Sequence, residues 1–171
     1  DKISVKALEL DPVTHRVTAN GTAGSGAAWF QVERRDGLTY QYGATQDSRI
    51  ESLGSATPRE WALNRILDRS GNYIDFVYTE DTATGSYRPS RVDYTGNANF
   101  GVAPYYSIRF TYENRSAADQ PSGFVAGGLV QETSRLSRID AQHVLAADIA
   151  QVPLAAVDQQ ISAILAQQIQ R

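Results

Sequence analysis

The sequence contains no cysteine, no methionine and only two histidines. Without cysteine, the protein cannot form disulfides, use a thiolate nucleophile or bind zinc through sulfur. His15 and His143 are far apart in sequence and fit no metal-ligating spacing such as HxxxH, so both are interpreted as surface or capping residues. A G-x-S-x-G elbow is also absent. These absences predict no catalytic residue, no metal site, no cofactor and no enzymatic activity.

The chain also lacks a long apolar run and a block of like charges. No run approaches the roughly 18 apolar residues that a membrane helix needs. The net charge of -3 is spread as mixed signs along the sequence, without a basic stripe. We therefore expect no membrane span and no nucleic-acid partner. Because the chain starts at Asp1 and contains no methionine, we expect a piece of a longer protein or a processed product.

Alternation of apolar and polar residues runs through most of residues 1–140. Side chains of a strand point to opposite faces in turn, so this pattern predicts antiparallel strands with one buried face. Asp36-Gly37 is a signal for a two-residue hairpin turn. The clearest strand covers residues 105–113, in which one face carries Tyr106, Ile108, Phe110 and Tyr112.

The chain is organised around residues 61–94. Two apolar runs rich in aromatic residues flank a turn at residues 68–72, which predicts a β-hairpin followed by a third strand near residues 91–94. We expect Asp68 to brace the turn by accepting hydrogen bonds from backbone N–H groups. The predicted turn and scaffold motif consists of Trp61, Arg65, Asp68, Gly71 and Asn72.

The composition changes after Asp140, where Ala and Gln dominate and Gly and aromatic residues are absent. Ala and Gln are good helix formers, so we expect a helix near residues 142–151 and a second from Pro153 to Ile169. The second helix has a stripe of apolar residues along one face. We favour packing of this stripe on the chain's own sheet, and self-association through it is the alternative. The predicted domains are a β module at 1–140 and an amphipathic helical tail at 141–171. The stripe is Leu154, Val157, Ile161, Ile164, Leu165 and Ile169.

The nine tyrosines lie mostly in predicted strands. Tyrosines paired across strands stabilise a sheet, and this interpretation is favoured. Exposed tyrosines also offer flat apolar faces with a polar rim, which suit sugars and peptides. A β-rich module that recognises carbohydrate or a protein partner through surface aromatics is therefore the alternative function.

Three blocks of sequence resemble a known family. Residues 36–43, 47–51 and 61–72 are similar to bacterial virulence-plasmid B proteins and to the B component of insecticidal Tc toxins, relatives of the RHS/YD-repeat proteins. The resemblance extends over roughly residues 29–140, and the block at 61–72 is its most specific part. Residues 108–113 and 135–139 lie where the pattern would continue.

The resemblance implies a secreted or cell-surface bacterial protein whose strands build part of a large shell. In Tc toxins that shell encloses and delivers a toxic polypeptide, so the expected partners are neighbouring modules of a larger chain or toxin complex. The matched region is scaffold, and no catalytic residue carries over; the Glu-x-Glu motif of family members with an ADP-ribosyltransferase domain is absent. The expected fold is mainly β, an antiparallel hairpin and meander sheet of YD-repeat type, with a C-terminal α-helical segment.

Overall fold

A computed structural model describes residues 15–143. This part contains twelve β-strands and two short 3-10 helices, Gln46–Ser48 and Ala117–Asp119. Residues 1–14, the beginning of the predicted β module, lie outside it. The strands are β1 (His15–Asn20), β2 (Trp29–Arg34), β3 (Thr39–Tyr42), β4 (Arg49–Glu51), β5 (Pro58–Trp61), β6 (Leu63–Leu67), β7 (Asn72–Asp81), β8 (Ser86–Asn97), β9 (Tyr106–Asn114), β10 (Ser122–Val125), β11 (Gly128–Gln131) and β12 (Ser134–His143).

Eight of these strands form one antiparallel sheet, the main sheet, in the order β1-β2-β3-β6-β7-β8-β9-β12. Every strand pairs with the strand that precedes it in the main sheet, so the sheet is a meander. The chain leaves the main sheet twice. Between β3 and β6 it forms the separate hairpin β4–β5, and between β9 and β12 it forms the hairpin β10–β11.

The two faces of the main sheet have different chemistry. Cross-strand partners share a face, and the register places one row of polar partners along five strands, β3 to β9. That row is Gln41, Arg65, Asp75, Asp93 and Ser107. The opposite, apolar face carries Val32, Tyr40, Ile66, Ile74, Phe76, Val92 and Ile108.

The turns between β2 and β3 and between β6 and β7 share one geometry. The Gly37 N–H donates to the Arg34 carbonyl at 3.0 Å, and the Arg34 N–H donates to the Leu38 carbonyl at 2.9 Å. Gly37 has a φ of 88°, and Gly71, at the equivalent position, has a φ of 84°. Three-residue hairpin loops end in such a left-handed residue, which glycine adopts without steric cost. The two-residue hairpin predicted at 36–37 is therefore wrong, because the loop contains a further residue.

The two ends of the main sheet differ. The turn end carries the tight turns at residues 34–38, 68–72 and 97–102, and the connection end carries both inserted hairpins. Four of the five largest fully buried side chains lie at the connection end, namely Ser48, Ile50, Pro58 and Ser86. Ile50 of β4 is fully buried there. The buried apolar residues of the described part are few, namely Ala28, Val32, Ile50, Pro58 and Ala62.

The predicted C-terminal α-helical segment is wrong as part of the fold class. Residues 15–143 contain no α-helix, and residues 141–143, where the first helix was expected to begin, form the end of β12. These residues pair with Ile108, Ser107 and Tyr106 of β9. The sheet ladder outweighs the helix propensity of Ala and Gln, because tertiary contacts override local preference. The stripe residues 154–169 lie outside the described residues, so their packing and the domain boundary at 140 stay predictions.

Candidate functional site

The turn between β6 and β7 is organised by the carboxylate of Asp68. It accepts hydrogen bonds from the backbone N–H groups of Ser70 and Asn72, each at 2.8 Å, and from the Asn72 side-chain amide at 2.8 Å. The amide of Asn72, followed by backbone N–H groups of the turn, holds the pKa of Asp68 below its usual value. These hydrogen bonds to backbone N–H groups are the contacts by which the sequence predicts that Asp68 braces the turn.

This turn is joined to the turn between β8 and β9. The Ala98 N–H donates to the Gly71 carbonyl at 2.7 Å. The side-chain amides of Asn97 and Asn99 both donate to the Ser70 carbonyl, at 3.2 and 2.9 Å. A Cβ atom added to Gly71 would lie 2.6 Å from Cγ of Asn99. The sequence does not indicate this role for either asparagine, because Ser70 is 27 residues from Asn97 and 29 from Asn99.

Arg65 forms a bidentate ion pair across strands with Asp75. Its Nε and Nη2 atoms donate to the two carboxylate oxygens at 2.6 and 2.7 Å. The guanidinium also lies 4.3 Å from the ring centroid of Tyr73, a cation–π distance. The hydrogen bond to Asp75 raises the pKa of Arg65. Arg65 thus links β6 to β7 on the polar face.

Trp61 lies at the opposite end of the sheet from the turn. Its indole Nε1 donates to the carbonyls of Ala27 and Ala28 at 3.2 and 3.0 Å. Its ring meets the Phe30 ring edge-on, with centroids 4.9 Å apart. Gly43 lies so close that an added Cβ would be 2.3 Å from the indole ring. Trp61 therefore holds β5 on β2 and on the loop that precedes it.

The predicted motif is divided between three places. Asp68, Gly71 and Asn72 meet in one turn, Arg65 pairs with Asp75 in the adjoining strands, and Trp61 packs at the connection end. Each of these contacts joins strands, turns or loops within residues 15–143. The stripe residues Leu154, Val157, Ile161, Ile164, Leu165 and Ile169 fall outside the part of the chain that the structure describes.

A cavity of about 350 Å³ opens at the connection end. Its principal ionisable groups are Glu51 and Glu80, and burial, followed by the negative charge of Glu51, raises the pKa of Glu80. Nη2 of nearby Arg59 donates to the Gly85 carbonyl at 2.6 Å. Nowhere in residues 15–143 do three histidine or acidic side chains gather as a metal-binding set. The same residues contain no helix long and apolar enough to cross a membrane.

Four aromatic rings meet at the turn end where β8, β9 and β12 run side by side. Tyr94 and Tyr106 are cross-strand partners with centroids 5.7 Å apart and planes 17° apart. The ring of His143 meets Tyr106 edge-on at 4.9 Å, and Tyr105 lies 5.2 Å from Tyr106. We call these four residues the aromatic corner. The sequence offers one local signal for it, the pair Tyr105-Tyr106, and gives no sign that His143 joins them.

The edges of the main sheet are open within residues 15–143. β1 and β12 each pair with a single neighbour there. On β12, Leu136 and Ile139 are 47% and 58% exposed. An open edge with exposed apolar side chains is a surface that natural proteins normally cover.

Known structures share this fold. The N-terminal domain of effector protein SpvB from Salmonella typhimurium strain LT2 superposes with a TM-score of 0.64 at 13% identity, over 80% of this chain and 56% of that chain. The crystal structure of TcdB2-TccC3 superposes with a TM-score of 0.62 at 16% identity, over 78% of this chain and 8% of that chain. The chain therefore spans about half of the first and less than a tenth of the second.

The sequence comparisons agree with the resemblance noted in the sequence. A search of curated proteins gave no match. The family model described as Salmonella virulence plasmid 65kDa B protein matches residues 10–137. Since this match covers well over half of the chain, the protein belongs to the Salmonella virulence plasmid 65kDa B protein family.

Proposed function

We propose that this chain is a non-enzymatic structural module of a secreted bacterial toxin of RHS or Tc type. Its main sheet forms part of a β shell that encloses or delivers a toxic polypeptide. Its partners are neighbouring modules of the same long chain or complex. Family membership and the fold shared with SpvB and TcdB2-TccC3 support the assignment to a toxin-related β-rich module.

The observation that carries the proposal is the pair of open sheet edges. Within the described residues, β1 and β12 have one partner each, and only five apolar residues are buried. A sheet with so few buried apolar side chains gains little stability from its own core, because burial of apolar surface is the main driving force of folding. Neighbouring strands would pair the free backbone groups and cover Leu136 and Ile139.

The interactions of the motif residues fit a structural role. Asp68 and Arg65 bind groups of the same sheet, and Trp61 binds backbone carbonyls, so these side chains hold strands and turns together. A catalytic carboxylate or base would instead point into a cleft that a substrate can enter. We therefore assign the module no reaction of its own. Its placement outside the bacterial cell rests on the similarity to SpvB and TcdB2-TccC3.

Hydrogen exchange of backbone amides tests this proposal. The rates would be compared between the 171-residue chain and the longer toxin chain that the proposal requires. We expect amides of β12 and β1 to exchange much more slowly in the longer chain, because new strands pair with them. Amides of β7, which is paired on both sides, serve as the control and keep their rates. Equal exchange of both edge strands in the two proteins would refute the shell role.

A further inference from the structure

We propose that the aromatic corner, made of Tyr94, Tyr105, Tyr106 and His143, is a binding platform for a neutral oligosaccharide. The corner is accessible: Tyr105 and Tyr106 are 43% and 38% exposed, and His143 is also exposed. Three neighbouring strands contribute its rings, so the sheet ladder fixes their spacing. This role is independent of the proposed shell function, because it needs no neighbouring module.

The first supporting observation is a set of unused hydroxyl groups. Within residues 15–143, the hydroxyls of Tyr94, Tyr105 and Tyr106 make no hydrogen bond to the protein. Of the other six tyrosines in the same part of the chain, five have a bonded hydroxyl, and Tyr42 is the exception. The bonded hydroxyls are those of Tyr40, Tyr73, Tyr78, Tyr87 and Tyr112.

These hydroxyls favour a polar ligand over a packed protein neighbour. A dry protein interface would bury them without partners, which costs free energy for each unpaired group. The apolar residues Leu136 and Ile139, farther along β12, offer a neighbouring module a surface without that cost. A sugar instead supplies hydroxyls that can donate to and accept from the tyrosines, while its C–H face lies on the rings.

The second observation is the backbone at Thr95. This β-branched residue has a φ of 78°, a conformation that such residues rarely adopt. Its Oγ1 accepts a hydrogen bond from the Tyr105 N–H at 3.1 Å and donates to the Tyr94 carbonyl. Strained backbone of this kind concentrates at binding and catalytic sites. Thr95 therefore fixes two members of the corner relative to each other.

Charge selects the class of saccharide. None of the four side chains is a carboxylate, an ammonium or a guanidinium group. On the polar face nearby, Arg91 pairs with Asp93 and Arg138 with Asp140, each at 2.7 Å. The corner thus carries no permanent charge with which to bind a sialylated, sulfated or uronic-acid sugar, and it fits a neutral chain of pyranose rings.

The test uses an array of neutral oligosaccharides of glucose, galactose, mannose and N-acetylglucosamine, with sialylated and sulfated glycans beside them. We expect the 171-residue chain to bind at least one neutral glycan. Titration calorimetry with that glycan would then show that Tyr106→Ala lowers the affinity by about tenfold, the equivalent of one aromatic contact. Tyr112→Ala is the matched control: Tyr112 lies on the same face of β9 outside the corner, and its variant keeps the affinity of the parent protein.

Circular dichroism would establish that each variant is folded. If Tyr106→Ala fails to fold, Tyr105→Ala replaces it, because Tyr105 precedes β9 and is the more exposed ring. Binding of no neutral glycan, or of charged glycans alone, overturns the proposal. Unchanged affinity in both corner variants also overturns it, since binding would then take place elsewhere.

Discussion

Gly71 offers a direct test of how the turn end is held together. Its φ of 84° lies in the left-handed region, and an added Cβ would come within 2.6 Å of Cγ and 2.8 Å of Nδ2 of Asn99. Gly71→Ala therefore imposes two costs. The backbone strain is about 1–2 kcal/mol for a non-glycine residue in this conformation. Displacement of Asn99 also breaks its hydrogen bond to Ser70, which is worth about 0.5–1 kcal/mol at an exposed site.

Gly101→Ala is the matched control for the second cost. Gly101 also has a positive φ, of 64°, but an added Cβ would meet no atom within 4 Å. This variant should lose the backbone contribution alone, about 1–2 kcal/mol. The free energy of unfolding should therefore fall by about 0.5–1 kcal/mol more in Gly71→Ala than in Gly101→Ala, the value of the hydrogen bond to Ser70.

Urea denaturation followed by the fluorescence of the two tryptophans measures both values. Asn99→Ala completes the test, because it removes the side-chain amide that the methyl group added at position 71 would meet. The double variant Gly71→Ala, Asn99→Ala should lose less stability than the sum of the two single variants. Equal losses in Gly71→Ala and Gly101→Ala, together with strict additivity in the double variant, would refute the contact between the two turns.

Three further outcomes follow from the motif. Trp61→Phe keeps the ring contact but loses the indole donor to two carbonyls, and should cost about 1 kcal/mol in thermal unfolding. Arg65→Lys cannot form the bidentate pair with Asp75 and should lower the free energy of unfolding by about 0.5 kcal/mol. In a double-mutant cycle, the same substitution should cost less in a protein that already carries Asp75→Asn. The pKa of Asp68 lies below its ordinary 3.8, so its contribution to stability is present above that value and lost as pH falls through the lower folded pKa. Asp68→Asn should therefore be less stable than the parent at pH 7, and the difference should shrink in acid.

The sequence predicts those parts of the fold that depend on neighbouring residues. Alternation in residues 105–113 identifies β9, and glycine at position 71 identifies a hairpin turn, because both signals act over a few residues. The C-terminal helix expected from residue 142 fails for the opposite reason. Ala141–His143 have partners in β9 more than thirty residues earlier, and composition carries no information about such pairing.

The candidate sites show the same limit. Asp68 is predictable because all its hydrogen-bond partners lie within four residues. The sequence singles out Arg65 as a motif residue, but its partner Asp75 is set by strand register and not by proximity in sequence. The aromatic corner joins Tyr94 to His143, and only the order of strands in the sheet brings these residues together.

The meander order of the main sheet has a consequence for how the protein folds. Each strand of that sheet pairs with a strand already made, so the sheet can grow one strand at a time from β1 towards β12 as the chain emerges in that direction. Pairing between successive strands keeps the closed loops short, and short loops lower the entropic barrier to folding. The hairpins β4–β5 and β10–β11 pair only within themselves, so they separate consecutive strands of the main sheet in sequence without changing the order in which these strands pair. No early strand of the sheet has to wait for a late one, so the sheet can form in step with synthesis of the chain.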